Sequence, residues 1–425
     1  MKRYETYKDS GIEWLGEIPN HWMEEKLKHI VSCNDDVLDE TTDPEEIINY
    51  VEISDVDSIN GVNNHTQYRF KEAPSRARRI TKKGDVIVST VRTYLKAIAP
   101  IKEDNLIVST GFAVLRPRKI ESSFVSYALQ NEFFLGEVVS RSTGVSYPAI
   151  NSTDLVEIKI PVPSADEQRI IASYLDDKVG QIDAVIAEKE KMVEDLQNYR
   201  KSVISEAVTR GLNPDVPMKD GWIEQFKSIP SHWKLEKLKY TGTFNNGLTY
   251  SPEDVVDDGI LVLRSSNIQN GKLSFDDCVY VKEVPGFLKV KTGDIIICSR
   301  NGSPSLVGKC VFIDDIVDAT FGAFMMRYRP EIVGKFAFYA FQHATSLYKG
   351  LYSTSTINQL TMNVINQMYV AIPPIEEQTT IADYIDERLA LVDTSVKELQ
   401  TQIEDLKSYK SSLITEAVTG KIDLR

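Results

Sequence analysis

The second half of this chain repeats the first at an offset of 210 to 213 residues, and a repeat of that period commits the fold to two copies of one unit. Ile18-Pro19-Asn20-His21-Trp22 with Glu25-Lys26-Leu27-Lys28 returns as Ile229-Pro230-Ser231-His232-Trp233 with Glu236-Lys237-Leu238-Lys239. Gly84-Asp85-Val86-Ile87 returns as Gly293-Asp294-Ile295-Ile296, Arg116-Pro117 as Arg329-Pro330, and Tyr127-Ala128-Leu129-Gln130 as Tyr339-Ala340-Phe341-Gln342. Residues 168 to 212 match 378 to 422 without a gap and with 17 identities, whereas the middles of the copies match sparsely. At 425 residues the chain also exceeds what one core usually organises, so length and repeat agree on at least two domains.

The shared ends carry a helical period. Leu175, Val179, Ile182, Ile186, Lys189, Val193, Leu196, Arg200, Val203 and Ala207 alternate four- and three-residue steps, the seam of a coiled coil. Ile385, Leu389, Val392, Val396, Leu399, Ile403, Leu406, Lys410, Leu413 and Ala417 do the same, with Lys189, Arg200 and Lys410 as the interruptions. Two helices of about 40 residues are predicted, each about 60 Å long at 1.5 Å per residue, starting after Pro161-Val162-Pro163 and Pro373-Pro374. A lone seam would suit a helix packed on its own domain. Two matched seams point to each other, and the second helix must return along the first for a compact chain, so the pair is expected to be antiparallel.

The middles read as α+β. Strands are predicted over 85–91, 106–109, 112–116 and 156–160 with a helix over 124–139; the second copy repeats the order with strands over 260–263, 294–298, 311–313 and 325–329 and a helix over 336–347. The expected architecture is two α+β domains in tandem pseudo-repeat, separated by an antiparallel pair of long coiled-coil helices. The expected segments are 1–163, a first domain with its signature; 164–212, a central helix; 213–374, a second domain; and 375–425, a C-terminal helix.

A net charge of -13 argues at first sight against nucleic acid, but the acid is concentrated on the helices. Residues 166–206 hold ten Asp/Glu against six Lys/Arg, and 376–416 hold ten against four. Residues 65–100 instead carry Arg69, Lys71, Arg76, Arg78, Arg79, Lys82, Lys83, Arg92 and Lys96 against Glu72 and Asp85, a footprint suited to phosphate. Thr93 and Tyr94 lie on the loop after a predicted strand. Its counterpart, Ser299 to Ser305, offers Arg300, Asn301, Ser303 and Ser305 on a Gly-containing loop, with Arg264, Asn267, Lys291 and Lys309 as further candidates. Different side chains in equivalent loops would read different sequences. A solvated loop with no ligand is the alternative for any single basic run.

Catalytic chemistry is not apparent. Gly302 to Lys309 has five residues between its glycines and Cys310 after the lysine, so it is no Walker A loop. Glu157-Ile158-Lys159 is half a nuclease motif, but Gln367-Met368-Tyr369 replaces it in the second copy. His29 and Cys33 lack a second ligand pair, and Cys33, Cys278, Cys298 and Cys310 form no CxxC, so no metal site is expected. His21 and His232, each beside a tryptophan, read as packed, hydrogen-bonded residues. No apolar stretch approaches the roughly 18 residues of a bilayer crossing and the first residues hold no signal-peptide core, so a cytoplasmic protein with no membrane partner is expected.

Tyr7-Lys8-Asp9-Ser10-Gly11-Ile12-Glu13-Trp14-Leu15-Gly16-Glu17-Ile18-Pro19-Asn20-His21-Trp22 opens the chain. Pro163 to Gln168 and Pro373 to Gln378 share the pattern Pro-x-x-x-Glu-Gln, and the copies end in Glu206-Ala207-Val208-Thr209 and Glu416-Ala417-Val418-Thr419-Gly420-Lys421-Ile422-Asp423-Leu424. Over its whole length the chain closely resembles the specificity subunit of type I restriction-modification systems. The resemblance implies two target-recognition domains, each binding half of a split double-stranded DNA sequence, held apart by the helix pair. It implies no catalysis and no bound cofactor in this chain. Its partners would be two adenine-N6 methyltransferase subunits using S-adenosylmethionine and ATP-dependent, Mg-using endonuclease/translocase subunits. The two similar acidic helices suit the docking of two identical methyltransferases. The rival reading is a coiled-coil scaffold without DNA specificity, which leaves the basic segment and the unequal loops unused.

Overall fold

The computed structural model describes residues 2–12, 15–57, 61–269, 271–351 and 359–425, so Glu13 and Trp14 of the opening signature lie outside the described residues. The chain divides into two compact units, Met1–Lys191 with Leu399–Arg425, and Met192–Glu398. These do not follow the four expected segments: each unit takes one α+β domain together with part of both long helices.

Both long helices form, Ala165–Arg210 with 46 residues and Ile375–Val418 with 44. Leu175, Val179, Ile182, Ile186, Ile385, Leu389, Val392, Leu399 and Ile403 are buried along the seam, and Val193, Leu196, Val396 and Leu406 are half-buried. Its charged interruptions are hydrogen-bonded across the pair, Arg200 and Lys410 to carboxylates and Lys189 to an amide. In the first unit Lys189 Nζ donates to Gln402 Oε1 at 2.6 Å and Lys410 Nζ to Asp183 Oδ1 at 2.7 Å. Numbers rise along one helix as they fall along the other, so the pairing is antiparallel. In the second unit Arg200 Nη1 donates to Asp393 Oδ1 at 2.5 Å.

Each α+β domain is built on two four-stranded sheets. In the first unit one has the order Ile98–Pro100, Val86–Ser89, Phe112–Pro117, Val31–Cys33; the other has Thr66–Arg69, Ile47–Val51, Leu106–Ser109, Ala77–Ile80. Ile47–Val51 and Leu106–Ser109 run parallel, with Ile107 opposite Tyr50. Val51, Ile53, Ile87, Val108 and Phe112 pack into one apolar cluster. The short β-branched runs at 86–89 and 106–109 are buried at every residue, as strands covered on both faces require. The second unit repeats the plan. Its sheets are Gly242–Asn246, Met325–Pro330, Ile295–Cys298, Cys310–Phe312 and Val255–Val256, Tyr280–Val281, Ile260–Leu263, Ala319–Phe321, with Val262 parallel and opposite Thr320.

Two expectations shift. The single helix over 124–139 is two, Ser122–Gln130 and Glu132–Ser140, because Asn131 is extended and its side chain accepts the Phe134 N–H at 3.0 Å, capping the second. His343 holds the corresponding position in the second copy, and there Gly334–Leu347 runs unbroken. The strand over 156–160 begins later, at Lys159–Val162, because Ser152–Leu155 is a helical turn.

The repeated Glu-Gln pair joins each long helix to its domain. Glu167 lies with Oε1 2.9 Å from His21 Nε2 and accepts the Trp22 indole N–H at 3.4 Å; Glu377 takes His232 at 2.8 Å and Trp233 at 3.1 Å. Burial alone would raise the Glu167 pKa, but hydrogen bonds from His21 and Ser164 outweigh it and hold the carboxyl below its ordinary value. Gln168 accepts the Glu121 N–H at 2.9 Å and donates to Pro163 O at 2.9 Å, while Gln378 accepts the Val333 N–H at 3.0 Å and donates to Pro373 O at 2.9 Å. Both histidines are hydrogen-bonded as expected, but they lie exposed at the surface rather than packed inside.

Candidate nucleic-acid interface

The loops of interest hang from a rigid frame. Asp85, buried, receives Arg116 through two parallel bonds of 2.9 and 2.8 Å and also accepts the Lys82 N–H at 2.8 Å. Asp294 receives Arg329 at 2.6 and 2.7 Å and accepts the Lys291 N–H at 2.8 Å. These bidentate pairs join the repeated Gly-Asp and Arg-Pro motifs, fixing the start of one central strand to the end of its neighbour.

At the far end of those strands three loops meet. In the first unit they are the turn after Ile47–Val51, the loop after Val86–Ser89 and the turn Ser109–Gly111, which carries the chain from one sheet to the other. Glu52 and Asp55 close the first as a reciprocal cap. Thr90 N–H and Oγ1 both donate to Gly111 O, at 2.8 and 2.9 Å, joining the second to the third. Arg76 pairs with Glu52 at 3.2 Å, its carbonyl accepts the Thr110 N–H, and Arg79 donates to Thr110 O at 3.4 Å. Arg92 and Lys96 both adopt the left-handed region, at φ +52° and +51°, a costly conformation for side chains of this kind. Between them Thr93 is buried, its hydroxyl 2.7 Å from Ser142, so that Tyr94 is thrust into solvent. The Arg92 guanidinium lies 5.0 Å from the centroid of the exposed Tyr147 ring.

In the second unit the same three loops carry other side chains. The turn after Ile260–Leu263 is closed by Asn267, whose Oδ1 accepts the Arg264 N–H at 2.9 Å and whose amide donates to Ser274 O and Asp277 O. Asn301 donates to Ser265 Oγ at 3.2 Å and Lys309 Nζ to Ser265 O at 3.0 Å, tying the turn to the 300–309 loop. Arg264 pairs with Asp277 at 2.7 Å. Ser303 and Ser305 are exposed with hydroxyls 2.9 Å apart. At the cap position where the first unit has Glu52, the second has Arg264.

The basic run is divided by the fold. Arg69, opposite Ile47, shares Glu45 with Lys71; Lys82 pairs with Asp36 at 2.9 Å; and Lys83 sits beside it before Val86–Ser89. All four lie at the sheet end opposite the three loops, as does Lys291 in the second unit. Arg78 is laid over the Phe70 ring at 5.1 Å. The local excess of charge in the sequence is therefore smaller in space, because acids from 36–52 fold back onto it. Asn267 and Thr93 are buried with their polar groups bonded inside the fold, so they shape loops rather than present a surface. Glu52, Tyr147 and the turns Ser109–Gly111 and Gly322–Met325 also lie at this end, and the turns carry no charge to mark them in the sequence.

Elsewhere the discounted motifs behave as surface chemistry. Glu157 is held by Lys26 at 2.7 Å and Lys28 at 2.5 Å, which pull its pKa down to about 2. His29 Nδ1 lies 3.1 Å from Glu25. Among the described residues no three His, Cys, Asp or Glu gather as metal ligands, and no helix is long and apolar enough to cross a membrane.

Comparison with known proteins gives a consistent result. Residues 19–194 and 230–405 each match the family model of the type I restriction modification DNA specificity domain. The chain is 31% identical over 204 residues to the EcoKI specificity subunit of Escherichia coli K12, covering 46% of this chain and 44% of that one. A StySPI specificity subunit from Salmonella potsdam aligns over the same shares at 29%, so the chain spans under half the length of these two relatives. It is 23% identical over 428 residues to a putative MjaX specificity subunit of Methanocaldococcus jannaschii, covering 97% and 96%. A solved chain from work on complex assembly and conformational transition of the type I R-M system superposes with a TM-score of 0.71 at 21% identity, covering 95% and 99%, which shows a shared fold.

Proposed function

The chain belongs to the type I restriction-modification DNA specificity family, and from that premise we propose that it is the sequence-reading subunit of such a complex. Each unit reads one half of a bipartite double-stranded DNA site with the three loops at the end of its sheets. The observation that carries this reading is one frame with two faces. The Asp–Arg clamps and the Glu-Gln joints are duplicated, while the loops they support differ down to the sign of charge at Glu52 and Arg264. A carboxylate accepts from cytosine and an arginine donates to guanine, so a change of sign there changes the base preferred.

The reading assigns no reaction to this chain. Methyl transfer from S-adenosylmethionine and base flipping belong to two methyltransferase subunits docked on the acidic long helices, and ATP- and Mg-dependent translocation and cleavage belong to endonuclease subunits. The length of the helices sets the DNA spacer, and the complex acts in the cytoplasm. A scaffold without DNA specificity has no use for Arg92 and Lys96 held in left-handed backbone beside a solvent-facing tyrosine. The test is methyl transfer to genomic DNA by the purified chain, by its methyltransferase partner, and by both together. Only the mixture should methylate one bipartite sequence; transfer by the chain alone would overturn the reading.

A further inference from the structure

One aromatic ring in the second unit is fixed by its backbone yet unused by the fold. Phe324 occupies the third position of the turn Gly322–Met325, closed by the Met325 N–H donating to Gly322 O at 2.8 Å. Its own carbonyl accepts three bonds, from the Ser299 N–H at 3.0 Å, the Ser299 hydroxyl at 3.0 Å and the Arg300 N–H at 3.1 Å. The ring is 60% exposed, with the Arg300 guanidinium 5.4 Å from its centroid. A solitary surface phenylalanine on a loose loop needs no explanation. Here the turn is clamped, a cation covers part of the ring, and the Arg264 turn adjoins it through the Gly322 N–H bond to Leu263 O at 3.0 Å.

The first unit keeps the clamp and lacks the ring. Gly111 stands at the equivalent position, its carbonyl held by Thr90, and a Cβ there would lie 2.7 Å from Ile53 Cδ1 and 3.0 Å from Val91 Cγ2. A side chain at Gly111 would have to displace the Ile53 terminal methyl.

Resting on the DNA-reading role argued above, we infer that Phe324 is a wedge that enters a base step in the half-site read by the second unit, with Arg300 positioning it. Apolar side chains inserted between base pairs unstack them and kink the duplex, and a preformed wedge spends no binding energy on ordering itself. The ring opens the step, beside the exposed Ser303 and Ser305 hydroxyls of the adjoining loop. The first unit reads its half-site without such a wedge.

The experiment uses the full chain in complex with its methyltransferase subunits. Methylation mapping first gives the bipartite site, and duplexes of that sequence then carry 2-aminopurine at each second-half position except the methylated adenine. Wild type should raise the fluorescence at one step of the second half-site. Phe324→Ala should abolish that rise and lower methylation of the duplex about ten- to hundredfold, the loss expected for one stacked ring, with an unchanged melting temperature of the chain. Phe324→Trp should keep both signals. A fluorescence rise that survives Phe324→Ala, the lack of any such rise in wild type, or wild-type methylation by Phe324→Ala would each overturn the wedge. Failure of the DNA reading looks different, because then wild type itself methylates no bipartite site.

Discussion

Asp85 and Asp294 show how single residues hold a loop-bearing frame steady. Each is buried, and each binds an arginine more than 30 positions further along the chain while closing the turn before its own strand. Removing the carboxylate takes the bidentate partner from a guanidinium, leaving Arg116 its Asp36 contact at 2.7 Å and Arg329 no carboxylate partner among the described residues, and frees a backbone N–H. Asp85→Ala and Asp294→Ala are each expected to cost about 3 kcal/mol, seen as a lower denaturant midpoint of the purified chain. His343 gives a pH signature of the opposite kind. Its imidazole is largely buried against Phe226, its Nε2 has no hydrogen-bond partner, and burial pushes its pKa down to about 4. The unfolded chain takes up a proton near the ordinary value of about 6.5 and the folded chain resists it, so stability is complete above that pH and falls as pH drops towards 4. Thermal melts should show His343→Gln flattening that acid limb relative to wild type.

The long helices were the most legible elements, because a seam sustained over ten positions in two copies leaves little room for another fold. The polar interruptions were visible too, but their partners were not: Asp183, Asp393 and Gln402 lie off the seam, and pairing them needs the register of one helix on the other. Short edge strands such as Val31–Cys33 and Thr66–Arg69 gave no period to read, and the break at Asn131 depended on one capping bond. Because each unit holds part of both helices, lengthening one alone would shift its seam against the other. Four residues added after Lys191 and four after Glu398 keep both pairings and add about 6 Å to each helix at 1.5 Å per residue. Methylation mapping of this double insertion should find both half-sites unchanged and the spacer longer by one to two base pairs, at about 3.4 Å per step, with weaker modification where the added twist must be absorbed. An active variant with its original spacer would show that the helices are not the ruler.

At the scale of the molecule, the repeat announced two copies of one unit, and the structure delivers two units with matching frames. The loops proposed to read DNA were only partly visible. Charge pointed to Arg76, Arg92 and Lys96, which reach the loop end, but also to Arg69, Lys71, Lys82 and Lys83, which the sheet carries to its other end. Local charge says nothing of which strand end a residue occupies, and uncharged tips such as Gly111 and Phe324 leave no compositional trace. The central claim is that the two units read DNA independently. Residues 24–160 begin and end within the strand pair that closes the first domain, Met23–Lys26 against Lys159–Val162, so they can be exchanged for the corresponding segment of another family member. Methylation mapping of that hybrid, assembled with its methyltransferase, is the direct test: one half-site should change and the other stay as it was, whereas a change in both would contradict the account.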